Sequence, residues 1–116
     1  MTDLSITRGD DREYDITVET EAGNPVDITG AELRFAAKFA NSNYAFIDKS
    51  STASGDEIEI INASLGTAIL YLDPADTIKL PPRVVNLTYD LQLTELSGSV
   101  TTLVSGTLVV DPDVAA

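Results

Sequence analysis

Two stretches near the C-terminus set the pattern for the whole chain. From Leu87 to Glu95, Leu87, Tyr89, Leu91 and Leu93 alternate with Thr88, Asp90, Gln92 and Thr94. A period of two puts one face in a core and leaves the other in water. Glu95-Leu96-Ser97-Gly98 breaks the run with a turn, and Ser99 to Val110 returns with Val100, Val104, Leu108 and Val110 at even spacing. A hairpin this long needs its apolar face covered, and similar alternation upstream supplies the cover.

Leu4 to Arg8 is a short alternating strand stopped by Gly9-Asp10-Asp11. Between Arg12 and Thr20, Tyr14, Ile16 and Val18 face one way and Glu13, Asp15, Thr17 and Glu19 the other. A turn at 21–25 ends in Pro25, which has no N–H for a ladder. Ala31 to Phe39 contains good helix formers, yet Leu33, Phe35, Ala37 and Phe39 alternate with Glu32, Arg34, Ala36 and Lys38, and the flanking turns leave too little length for a helix. Tyr44 to Lys49, Glu57 to Asn62 and Thr67 to Leu72 read as further strands, the first of them at an edge. Asp73-Pro74-Ala75-Asp76-Thr77 has an acid at the cap and proline in the first turn, which predicts one helical turn over about 74–80, ended by Pro81-Pro82. Seven or eight short strands with a turn about every ten residues predict an all-β, immunoglobulin-like antiparallel β-sandwich. A closed barrel is the alternative. The expected core is Tyr14, Ile16, Val18, Leu33, Phe35, Ala37, Ile58, Ile60, Leu70, Leu72, Tyr89, Leu91, Leu93, Leu108 and Val110.

At 116 residues the chain reads as a single domain, 1–116, large enough for a core without staples. It has neither cysteine nor histidine. That removes disulfides, thiolate chemistry, and the commonest general base and transition-metal ligand. Nineteen acids against seven bases give a net charge of −12. Such a balance argues against nucleic acid and anionic membrane surfaces as partners and favours solubility or a basic partner. The N-terminus lacks a basic segment followed by an apolar one, so no secretory signal is expected.

Individual motifs have ordinary structural readings. Arg8-Gly9-Asp10 matches the integrin tripeptide but also suits a strand end that needs a glycine turn. Asn62-Ala63-Ser64 and Asn86-Leu87-Thr88 fit the glycosylation sequon, with no signal to bring them to the machinery. Acids cluster at Asp10 with Asp11, at Asp56 with Glu57 and Glu59, and at Asp111 with Asp113, without the spacing of a calcium loop. Paired carboxylates suffice for glycoside hydrolysis, but these lie on solvent faces or turns, and Tyr14, Phe35, Phe39 and Tyr89 are assigned to the core. No phosphate loop or serine elbow is present. The expectation is a protein that is not an enzyme, with no cofactor and no metal.

Several segments taken together carry a resemblance: Arg8-Gly9-Asp10; 23–30, Gly-Asn-Pro-Val-Asp-Ile-Thr-Gly, leading into Leu33-Arg34-Phe35; Leu72 to Thr77; Tyr89 to Thr94; and the closing run from Thr102 to Val114. In this order the chain resembles small phage and prophage virion proteins, and is similar to the immunoglobulin-like N-terminal domain of siphophage baseplate upper proteins. The resemblance covers nearly the whole chain. It implies a structural module of a tail, baseplate or particle surface, localised to the virion. Its implied partners are other virion proteins and further copies of itself, and it carries over no catalytic residue. Because the chain stops just after its last strand, the expectation is a small adaptor or decoration protein. Tyr44, Phe46 and Ile47, between Asn41, Asn43, Asp48 and Lys49, are the expected protein-contact residues, whereas Glu57 and Glu59 charge another strand against pairing. The alternative function is a carbohydrate- or host-receptor-binding sandwich that uses Tyr44 and Phe46 with Asn41 and Asn43.

Overall fold

The computed structural model describes residues 3–20, 22–52, 57–81 and 83–112. Gly55, Asp56, Pro82 and Asp113, which the sequence assigns to a loop, an acidic trio, a helix stop and an acidic pair in turn, lie outside the described residues. Among the described residues eight strands form in chain order: β1 (Leu4–Thr7), β2 (Arg12–Thr17), β3 (Glu32–Lys38), β4 (Ile47–Ser50), β5 (Ile58–Asn62), β6 (Thr67–Leu72), β7 (Val85–Thr94) and β8 (Val100–Asp111). A 3-10 turn, Ala63–Leu65, joins β5 to β6, and one helical turn, α1 (Pro74–Thr77), joins β6 to β7. One sheet has the order β1-β8-β7-β3-β4 and the other β2-β6-β5. Strands three, seven and eight therefore face strands two, five and six, the partition of an immunoglobulin-like sandwich. All neighbours are antiparallel except β1 and β8, which run parallel from Leu4 opposite Leu108 to Thr7 opposite Asp111.

The alternation that predicted the strands also sorts their faces. Leu33, Phe35 and Ala37 of β3, with Leu87, Tyr89, Leu91 and Leu93 of β7, meet Ile16, Ala68, Leu70, Leu72 and Ile58 from the opposite sheet. Without tryptophan or a cysteine pair at the centre, Phe35 and Tyr89 stack with ring centroids 5.4 Å apart. Tyr14 and Ile60, expected in the core, are only partly buried and pack at its margin. Phe39 also departs from expectation, being 37% exposed. Val18, Leu108 and Val110 are buried as expected, and Ile6, Ile28, Ile47, Leu80 and Val85 join them.

The hairpin turn forms as expected: the Gly98 N–H donates to the Glu95 carbonyl and the Glu95 N–H to the Ser99 carbonyl. The return strand differs. Val104 lies opposite Leu91 but Thr102 opposite Gln92, so Leu103 is an extra residue in β8. That bulge reverses the facing of everything before it. Val100, expected inward, pairs with Thr94 and is 58% exposed.

At the other end of the molecule, Arg8 ties the crossover to the first strand. Its Nε donates to the Leu80 carbonyl at 2.7 Å and its Nη2 to the Ile78 carbonyl at 3.0 Å, while the Gly9 N–H donates to Thr77 Oγ1 at 2.9 Å. The integrin-like tripeptide thus has its arginine and glycine committed to holding α1. Inside α1, Asp76 accepts the Asp73 N–H at 2.6 Å, the kind of first-turn carboxylate contact that proline at N1 leaves room for. No helix among the described residues is long and apolar enough to cross a membrane.

Burial raises the titration of two phenols above their ordinary value of 10.0: Tyr14, despite the neighbouring Arg12 charge, and Tyr89, where Asp3 adds to the effect. A phenol whose folded pKa exceeds its unfolded one contributes stability that is fully present below the unfolded pKa and is lost as pH rises through the folded one. Stability should therefore fall on passing above pH 10. The ultraviolet phenolate band should show Tyr14 and Tyr89 ionising above 10; simultaneous ionisation of all four tyrosines at 10 in the folded protein would contradict this.

Candidate functional site

The best-defined candidate surface lies where the β3–β4 connection, residues 39–46, meets the segment after α1. The Phe46 N–H donates to the Ala37 carbonyl at 2.7 Å and the Ser42 N–H to the Phe39 carbonyl at 3.0 Å, fixing both ends of the loop. Ser42 Oγ accepts the Tyr44 N–H at 3.1 Å and shapes the tip. Within this frame Phe39 and Phe46 pack edge to face, 5.7 Å between centroids. Lys79 Nζ stands 5.9 Å from the Phe46 ring centre, at the limit of a cation–π contact. Tyr44 extends from the tip, 83% exposed, with Asn41 and Asn43 exposed beside it.

The three expected contact residues thus separate. Tyr44 is on the surface, Phe46 is half-buried against the core, and Ile47 is 2% exposed. The physical reason is parity. Ile47 lies opposite Ala37 on the inward face of β3, so the first residue of β4 belongs to the core. Lys49, two residues on, shares that inward face and is buried too, where it was expected to bracket a surface patch. Phe39 and Lys79, which the sequence reading did not assign to the site, join it. The run from Phe39 to Phe46 carries three aromatic residues in eight and was a usable signal for Phe39. Nothing in the sequence pointed to Lys79.

A shallow depression of about 430 Å³ continues from this loop across the outer face of the larger sheet. Arg34, Lys38, Asn43, Asp90 and Gln92 line it, with Ala36 as its low floor. Arg34 forms a two-pronged pair with Asp48, Nε to Oδ1 at 3.0 Å and Nη2 to Oδ2 at 2.7 Å. The hydrogen bonds it donates to Asp48, and then the charge of that carboxylate, hold the guanidinium in its protonated form.

Two of the acids expected as solvated turn and edge groups have local partners. Glu57 Oε1 accepts the Ser50 N–H at 2.9 Å, and Glu59 Oε1 accepts the Tyr71 hydroxyl at 2.9 Å. Among the described residues no three acids converge as a metal site would require. Asn62 of the first sequon is engaged by its own turn, its Oδ1 accepting from Ser64 Oγ at 2.8 Å and from the Leu65 N–H at 3.3 Å. Asn86 of the second is exposed on β7. No protein-family model and no curated protein matches this chain.

Proposed function

We propose that this chain is a non-enzymatic assembly module of a phage or prophage virion, a tail, baseplate or particle-surface component that acts through protein–protein contacts. The single observation that carries the docking part of the reading is the aromatic loop: Tyr44, 83% exposed, projects from the same connection that holds the Phe39–Phe46 pair and Lys79 together. Tyrosine anchored on a rigid base is the side chain most suited to an interface centre, because it loses little rotamer freedom on binding. The virion setting rests on the resemblance of the turn and strand segments described above.

The test is to purify phage particles from the host that encodes the chain and quantify it by mass spectrometry, with wild type and Tyr44→Asp supplied in turn. Incorporation of wild type at a fixed stoichiometry is expected, reduced at least about tenfold by the substitution at an unchanged melting temperature. Absence of the wild-type chain from washed particles refutes the proposal.

A second reading, carbohydrate or host-receptor binding, draws on the polar depression beside Tyr44, whose lining offers amide, guanidinium, ammonium and carboxylate groups. Specific glycan-array binding that is lost in Tyr44→Ala would favour it over the first.

A further inference from the structure

Among the described residues the first half of β8 is an open sheet edge. β7 pairs with β8 from Val100 to Val110, but on the other side β1 covers only Leu108 to Asp111. The Thr107 N–H points toward that side, since it donates to the Asp3 carboxylate at 3.3 Å. Backbone groups alternate sides along a strand, so the N–H and C=O of Ser105 face the same way. From Val100 to Ser105 no strand among the described residues lies against this edge. The segment Val100-Thr101-Thr102-Leu103-Val104-Ser105-Gly106 also carries no charge and no proline. The remaining edges are guarded. β2 bears Arg12, Glu13 and Asp15, β5 bears Glu59, and β1 and β4 are each four residues long.

Beneath the open edge the two sheets part. A cleft of about 250 Å³ lies between β8 and β2, lined by Tyr14, Ile16, Phe35, Leu91, Leu103 and Val104. Leu103 and Val104 are only partly buried at its mouth, where the bulge sets them.

We propose that this edge pairs with the same edge of a second copy, antiparallel across a twofold axis centred near Leu103 and Val104. Unpaired backbone donors and acceptors select an extended strand as occupant. A twofold pairing satisfies both open edges at once, which an unrelated strand does for only one. The lack of charge along this segment, in a chain of −12, lets the two backbones meet without placing like charges opposite one another. The inward side chains of each copy then close the mouth of the other's cleft. None of these edge residues belongs to the aromatic loop, although Ser105 lines the depression that the loop borders, so either contact can fail without the other.

The test is sedimentation velocity of the full chain over a range of concentrations at about 0.05 and 0.5 M salt. A reversible monomer–dimer equilibrium is expected, tighter at high salt because the acidic copies repel each other at long range. Thr102 is exposed, so Thr102→Asp should melt like wild type at concentrations too low for the dimer to form, while weakening the dimer at least about tenfold. Tyr44→Asp should leave the dimer unchanged. Hydrogen exchange should show amides between 101 and 105 slowing as concentration rises. A wild type that stays monomeric at both salts, or a dimer indifferent to Thr102→Asp, overturns the proposal. So does a dimer broken by Tyr44→Asp alone.

Discussion

Replacing Gly66 with alanine is expected to lower the unfolding free energy by about 3–5 kcal/mol, far more than a surface methyl group ordinarily costs. Gly66 follows the 3-10 turn at φ +70°, a left-handed conformation that costs a residue with a Cβ about 1 kcal/mol. The larger part is steric. An added Cβ would lie 2.6 Å from the Val26 carbonyl oxygen and 2.7 Å from that of Val18. Both are backbone atoms and neither can swing aside. The Val18 N–H donates to the Gly66 carbonyl at 2.8 Å, the Val26 N–H to the Val18 carbonyl at 3.0 Å, and the Ile28 N–H to Ala63 at 2.8 Å. Moving the glycine therefore disturbs the whole connection from β2 to β3, including the seating of buried Ile28. Gly98→Ala is the control. Its φ is +92°, but nothing lies within 4 Å of its added Cβ, so it should cost only about 1 kcal/mol. Denaturant titration of the two variants separates conformational strain from collision, with a melting-point loss of about 10–20 °C expected for Gly66→Ala. Equal losses for the two would show that the backbone around Gly66 can yield.

The fold was legible because one code, two-residue alternation, governs almost every strand. β6 has the bounds that Thr67 to Leu72 suggested, and β7 and β8 begin or end within two residues of their expected limits. Two features escaped that code, each for a definite reason. The bulge at Leu103 adds one residue without any glycine or proline to mark it, so the even spacing of Val100, Val104 and Leu108 held only to the bulge. The parallel pairing of β1 with β8 joins segments about a hundred residues apart, and nothing local in Leu4–Thr7 says which neighbour it will find. The candidate site was legible in half. Its aromatic loop stands out in the sequence, but the charges of Asp48 and Lys49 read alike as solvent-facing and place Ile47 with a surface patch. Read strictly by parity, Lys49 belongs with Ile47 on the inner face, and only a partner elsewhere in the chain makes that tolerable.

That partner is Asp76, and removing it should be among the most damaging single changes in the protein. The Lys49 side chain is 8% exposed, with Nζ 2.9 Å from Asp76 Oδ2 and 4.0 Å from Asp73 Oδ2. The contact fastens the edge strand β4 to α1, twenty-seven residues further along the chain. Two buried opposite charges gain little over well-packed apolar side chains, because desolvation offsets most of their attraction. Removing one alone is a different matter, since it leaves the other charge in the interior without compensation. Asp76→Ala is therefore expected to cost about 3–5 kcal/mol, which includes loss of the Asp73 N–H contact that starts α1. Lys49→Met should cost clearly less than Asp76→Ala, because its unbranched chain follows the path of the lysine stem and the Asp76 carboxylate left behind is 17% exposed and keeps the hydrogen bond from the Asp73 N–H. The double variant should recover most of the loss of Asp76→Ala, and chemical denaturation of the four proteins of this cycle measures the coupling directly. If Asp76→Ala and Lys49→Met cost the same and their effects add, Lys49 reaches solvent in the single variant, and the pair is an ordinary surface contact.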